Sequence, residues 1–158
     1  MQLPPEITTF LISMVPVIDI RFGIPIGIGL GLTKSVAYFW GVTGNLLFTF
    51  AGMKLLDPIT SFLSKRSKFF DKFFKNLFAV TRKHHEDNIE KYGPVFIMLF
   101  VAIPIPGSGA LIGGLIGWLF GISFWRTFAY VTAGTLLAGC LILLGFGSIE
   151  ALWHLLFY

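Results

Sequence analysis

Two apolar stretches of this chain repeat one another ninety residues apart, and each is interrupted by proline and glycine. Pro16, Gly23, Gly27, Gly31 and Gly44 recur at identical spacing as Pro106, Gly113, Gly117, Gly121 and Gly134. Leu32, Leu46 and Leu47 fall likewise on Ile122, Leu136 and Leu137. Glycines four apart also recur by chance in membrane helices, where they let backbones approach closely. A proline at the same offset as the glycines favours an internal repeat over coincidence. Matched hydrophobic segments broken by proline and glycine are the sequence mark of a membrane transporter built from repeats.

Composition places the chain in the bilayer. Hydrophobic residues make up 55% and charged residues 13% of it, with a mean hydropathy of +0.81. A soluble domain carries about 25% charged residues. At 158 residues there is room for a single membrane domain. The spacing divides it into repeat one (7–57), a basic amphipathic linker (58–91) and repeat two (92–149). No signal peptide is expected, because the start lacks a basic region and a small-residue cleavage site. Cys140 is the only cysteine, so an internal disulfide is excluded, and its glycine-rich apolar surroundings predict inert, buried packing.

Residues 35–53 and 127–149 contain no charge, and each suits a spanning helix of roughly 20 residues. Residues 7–18 and 22–33 are uncharged arms separated by Asp19 and Arg21. At about 1.5 Å per residue each arm is roughly 18 Å long, little more than half of a ~30 Å hydrocarbon core. Residues 92–125 are also uncharged and too long for one crossing. Their centre reads Pro104-Ile105-Pro106-Gly107-Ser108-Gly109, where two prolines remove backbone donors and push the residues before them out of the helical region. The prediction is an all-α integral membrane fold of two inverted repeats. Each is a re-entrant hairpin followed by a transmembrane helix, with hairpin breaks at Pro16 and Pro25 and at Pro104 and Pro106. A kinked full crossing is the competing reading of both hairpins. Irregular backbone at membrane depth must be buried in protein or line a polar cavity, so the two tips would wall one internal site.

Nine of the twelve Lys and Arg residues lie between Lys54 and Lys91. Phe62, Phe69, Phe73 and Leu77 form one apolar row there, and Leu63, Phe70, Phe74 and Phe78 another. Lys65, Lys68, Lys72 and Lys75 fall opposite them. This pattern predicts a cytoplasmic amphipathic helix in the membrane plane, with its lysines toward anionic lipid headgroups; a soluble connector is the alternative. Arg66, on the apolar side, must snorkel or pair. With this loop in the cytoplasm, paired hairpins place both termini outside, and four full crossings place both inside.

Asp19 and Arg21 are the candidate substrate-binding residues of the first hairpin. Charges inside an apolar membrane segment are costly and point by default to function. Two apart on a regular helix they diverge by about 200°, so they can meet only on irregular backbone. A purely structural ion pair is the alternative. Gly107, Ser108 and Gly109 are the candidates of the second tip, offering a hydroxyl and open amides to an anion; close helix packing explains the glycines equally well. The run Lys83-His84-His85-Glu86-Asp87 has no zinc-binding spacing, His154 reads as interfacial, and Asn45 reads as an interhelical packing amide. No metal, no cofactor and no catalytic constellation is expected, so the chain is not read as an enzyme.

The segment Pro16-Val17-Ile18-Asp19-Ile20-Arg21-Phe22-Gly23-Ile24-Pro25-Ile26-Gly27 resembles the first signature of the small multidrug export protein family. Lys91-Tyr92-Gly93-Pro94, followed by Ile103-Pro104-Ile105-Pro106-Gly107-Ser108-Gly109-Ala110, resembles its second. That family is similar in turn to the DedA-like membrane proteins, in which two re-entrant hairpins face one another. The resemblance implies transport, with lipid phosphates or drugs as substrate classes and protons as a coupling ion. It departs in one respect: DedA-like proteins bear several arginines in the second hairpin, and residues 94–121 here contain none. Arg21 must then act alone, or a second protomer must help. The expectation is a multi-pass transporter or lipid translocator of the cell membrane, working as a homodimer on a small amphipathic or lipid-phosphate substrate, without nucleic acid. The alternative is a non-transporting membrane protein that organises lipid or partners through its basic helix.

Overall fold

The computed structural model describes residues 3–16, 18–66, 86–103 and 109–157, with side chains omitted at 63–65, 86–91 and 146–157. Among the described residues every regular element is a helix: α1 Pro5–Met14, α2 Asp19–Gly29, α3 Lys34–Arg66, α4 Glu86–Ala102, α5 Ala110–Leu119 and α6 Phe124–Phe157.

Local chemistry sets the helix ends. Pro5 occupies the first turn of α1, where its missing N–H would have no partner anyway, and Glu6 faces the positive end of the helix dipole. Thr8 and Thr9 donate their hydroxyls back to the carbonyls of Pro4 and Pro5 at 3.1 and 2.8 Å, which satisfies them inside an apolar helix. Val15 is extended (φ −75°, ψ 119°) because Pro16 follows it, and α1 stops there.

The two halves close their second helices with the same turn. Leu30 N donates to Ile26 O at 2.9 Å, Gly31 N to Ile28 O at 3.0 Å and Leu32 N to Gly27 O at 3.1 Å. Ninety residues on, Phe120 N donates to Ile116 O, Gly121 N to Trp118 O and Ile122 N to Gly117 O, all at 3.0 Å. The six-to-one bond is that of a Schellman cap, which needs a left-handed residue. Gly31 (φ 95°) and Gly121 (φ 73°) supply it. Thr33 and Ser123 then open α3 and α6 by accepting from the amides of Ala37 and Thr127, each at 2.9 Å.

Packing follows the same repeat. The helices α1, α2 and α3 pack on one another, as do α4, α5 and α6; across the halves α3 meets α5, α2 meets α6, and α3 meets α6. Gly44 and Gly134 mark equivalent crossings. A Cβ on Gly44 would collide with the carbonyl of Phe10 on α1, and one on Gly134 with the carbonyl of Met98 on α4. Two apolar clusters form the interior. Ile97, Val101, Ala110, Ile122 and Val131 build one, and Ile20, Ile24, Ala37 and Ala138 the other.

The segments 34–62 and 124–145 are long and apolar enough to cross a membrane. At about 1.5 Å per residue they reach ~44 and ~33 Å, against a ~30 Å hydrocarbon core. Helices α1, α2 and α5 reach only ~15–17 Å. Large apolar side chains stand outward, Trp125 at 68% and Phe39 at 60% exposure; so many in a chain this size call for lipid rather than water.

Three details differ from the sequence reading. Pro25 lies inside α2 and does not break it: the bond it forgoes is to the Arg21 carbonyl, in the helix's first turn, and the rest of the ladder continues. Helix α3 runs through Pro58 to Arg66, past the expected start of the linker at 58. Cys140 is exposed rather than buried. The Tyr38 ring packs where Gly139 has no side chain and leaves Cys140 beside it, with Sγ 3.8 Å from the Tyr38 hydroxyl. Arg66 stacks over the Phe62 ring at 5.9 Å, which answers how it is accommodated on the apolar side. Lys68, Lys72, Lys75 and the Lys65 side chain lie outside the described residues, as do the phenylalanine rows beyond Phe62.

Candidate functional site

The site begins where α1 ends. After the extended Val15, the amides of Ile18 and Asp19 turn back to the Val15 carbonyl at 3.0 and 2.8 Å. Asp19 itself has φ 56°, in the left-handed region that aspartate tolerates better than most side chains. This single irregular residue lets two side chains two positions apart converge. Arg21 Nη1 donates to Asp19 Oδ2, forming the ion pair that a regular helix forbids.

Asp19 is 4% exposed, so its carboxylate must be served from within the protein. Arg21 serves one oxygen. Asn45 Nδ2, from α3, donates to the other and also to the Ser13 carbonyl on α1 at 3.3 Å. Asn45 therefore clamps the start of α2 to α1 and α3.

Arg21 also reaches into the other half. Its Nη2 donates to the carbonyl of Ile103 at 3.1 Å and that of Val101 at 3.4 Å. Helix α4 ends at Ala102, just before Pro104 and Pro106, and the carbonyls of Val101 and Ile103 at that end accept from Arg21. A guanidinium is the cation best suited to that negative helix end. Gly109, which opens α5, completes the contact. A Cβ there would lie 3.5 Å from Asp19 Oδ2 and from the Pro16 carbonyl, and 3.9 Å from Arg21 Nη1. The start of α2, the end of α4 and the start of α5 thus meet at one buried ion pair.

More polar atoms surround it than the pair uses. Ser13 Oγ, Asn45 Oδ1 and Thr49 Oγ1 are buried with no hydrogen-bond partner among the described residues. Each such group costs about 1–3 kcal/mol when left unsatisfied. Such groups are suited to a water, a proton or a polar ligand rather than to packing alone.

Of the residues singled out in the sequence, Asp19, Arg21, Pro16 and Gly109 come together here. Pro25 does not belong to the site. Gly107, Ser108, Pro104 and Pro106 lie outside the described residues. Sequence reasoning missed Asn45 as a carboxylate partner, together with Ser13 and Thr49. The available signal was their spacing: Thr9 and Ser13 on α1, and Asn45 and Thr49 on α3, are polar pairs four apart in otherwise apolar helices.

Short paired helices, two helices of membrane-crossing length and a buried ion pair at their junction define an integral membrane protein. Residues 19–141 match the family described as "Putative small multi-drug export protein". The match takes in well over half of the chain, from Asp19 through Arg21, Asn45 and Gly109, and the chain belongs to that family. Comparison with curated proteins and with solved structures found no match to either.

Proposed function

We propose that this chain is a transporter or lipid translocator of the cell membrane, moving a small amphipathic or lipid-phosphate substrate past the Asp19–Arg21 pair. The observation that carries this reading is that the pair is buried at the contact between the two halves, among polar atoms with spare hydrogen-bonding capacity. A scaffold gains nothing from buried charge, which is costly in a membrane. The family description, an export protein, points the same way.

In this proposal α1 with α2, and α4 with α5, are re-entrant hairpins, each helix packed on its partner, with α1, α2 and α5 too short to cross. The halves are an inverted pair, as in DedA-like proteins, with both termini outside and the basic linker in the cytoplasm. Asp19 carries a proton. Arg21 exchanges the neutral carbonyls of Val101 and Ile103 for an anionic substrate group, which a guanidinium binds more strongly. Gly107 and Ser108, next to Gly109 in the chain, add donors at the second tip. No bond is made or broken, so the protein is not an enzyme. Lys65, Lys68, Lys72 and Lys75 hold anionic headgroups, and a second copy seals the pathway. The test is reconstitution into vesicles with candidate substrates and an imposed proton gradient. Transport above that of protein-free vesicles is expected. No movement of any amphipathic or lipid-phosphate substrate would return the chain to the alternative, a protein that only organises lipid or partners.

A further inference from the structure

A second polar feature lies away from the ion pair, at the other end of α5. Residues of α3, α5 and α6 and of the turn between the last two line an open pocket of about 250 Å³. Asp57 lines it, and its carboxylate Oδ1 accepts from Trp118 Nε1 at 2.7 Å. The rings of Trp118 and Phe124 form walls, Met53 and Ile122 add apolar surface, and Thr127 borders it.

The internal repeat shows that the fold itself does not require this lining. Ninety residues earlier, Trp118, Ile122 and Thr127 correspond to Ile28, Leu32 and Ala37; ninety later, Met53 corresponds to Leu143 and Asp57 to Gly147. In that half Ile28, Leu32, Ala37 and Leu143 pack into one apolar cluster. The carboxylate and the two rings have no counterparts there: Asp57, Trp118 and Phe124 correspond to Gly147, Ile28 and Lys34.

The pocket's chemistry selects its ligand. A carboxylate beside aromatic faces attracts an organic ammonium ion, through charge and through the ring quadrupoles. The protein supplies an internal demonstration: the Lys54 ammonium stands over the Phe124 ring at 4.8 Å and over the Phe50 ring at 5.9 Å. The volume suits the cationic head of an amphiphile rather than a whole drug-sized molecule. Ile112 and Leu115, on the same helix as Trp118, are exposed and would meet its apolar part.

We infer that the Asp57–Trp118 pocket is a binding site for the ammonium head of a lipophilic cation, with Lys54 as a competitor for the Phe124 face. Binding is measured on purified protein without any gradient, so the inference stands or falls apart from transport. The probe is benzyltrimethylammonium, with benzenesulfonate as its anionic counterpart, titrated calorimetrically into the full chain in nanodiscs. The wild-type protein should bind the cation and not the sulfonate. Asp57→Asn should weaken the cation at least tenfold, and Asp57→Glu should largely restore it. Lys54→Met should tighten it severalfold, a gain that misfolding cannot imitate. Preference for the sulfonate, an Asp57→Asn protein with unchanged cation affinity, or weaker cation binding in Lys54→Met would each overturn the assignment.

Discussion

Arg21 Nη2 donates to the carbonyl oxygen of Ile103 at 3.1 Å, tying the first turn of α2 to the end of α4, eighty-two residues further along the chain. The same guanidinium holds Asp19. One side chain therefore neutralises a buried carboxylate and caps the end of a helix in the opposite half.

Removing either charge alone should destabilise the protein. Asp19→Asn leaves Arg21 without its counter-ion, and Arg21→Gln leaves a buried carboxylate without its own. Breaking a buried pair from one side costs about 3–5 kcal/mol. Thermal unfolding in detergent should show both single variants clearly below wild type. Wild-type stability in either would mean that the pair is not buried in the working protein.

Asn45 provides a finer test. Asn45→Ala deletes the donor to Asp19 and to the Ser13 carbonyl, and should cost about 1–3 kcal/mol. Asn45→Asp places a second carboxylate against the first, so it should cost more at neutral pH than at acid pH, where one of the two can protonate. Equal losses at both pH values would show that Asn45 does not face Asp19.

The glycines separate into those that pack and those that do not. Gly44→Ala drives a methyl into the Phe10 carbonyl and should lower stability by roughly 1–3 kcal/mol. Gly29→Ala meets open space and should be neutral, or stabilising by up to about 1 kcal/mol. Unfolding midpoints of the two variants check this; equal effects would contradict the α1–α3 crossing.

Labelling checks the proposed orientation. Single cysteines at Gln2, Lys72 and Tyr158 in a Cys140→Ala background should place Gln2 and Tyr158 on one side of the membrane and Lys72 on the other. Labelling of Gln2 and Lys72 from the same side contradicts paired re-entrant hairpins.

Much of the architecture was legible in the sequence because glycine and proline act through the backbone. Gly31 and Gly121 mark the same left-handed turn wherever they stand, and Pro16 sets Val15 without regard to distant contacts. Asp19 and Arg21 were legible because charge in an apolar segment demands a partner. Asn45 was not. An amide on an apolar helix looks the same whether it packs or serves a carboxylate, and only the approach of α2 to α3 decides. Pro25 misled because a proline inside a helix forgoes one backbone bond, here to the Arg21 carbonyl, while the rest of the ladder holds. Cys140 misled because burial in a sequence of small residues depends on which neighbour lands there, and the Tyr38 ring took the place of Gly139 instead.

The most direct measurement is transport by the double variant Asp19→Asn, Arg21→Gln. With both charges gone no buried charge is left unpaired, so expression and thermal stability in detergent should recover toward wild type. Reconstituted in vesicles, this folded protein should no longer move substrate down or against a proton gradient. Recovery of transport together with stability, at the wild-type rate, would contradict a functional role for either residue and leave the pair as a structural clasp between the two halves.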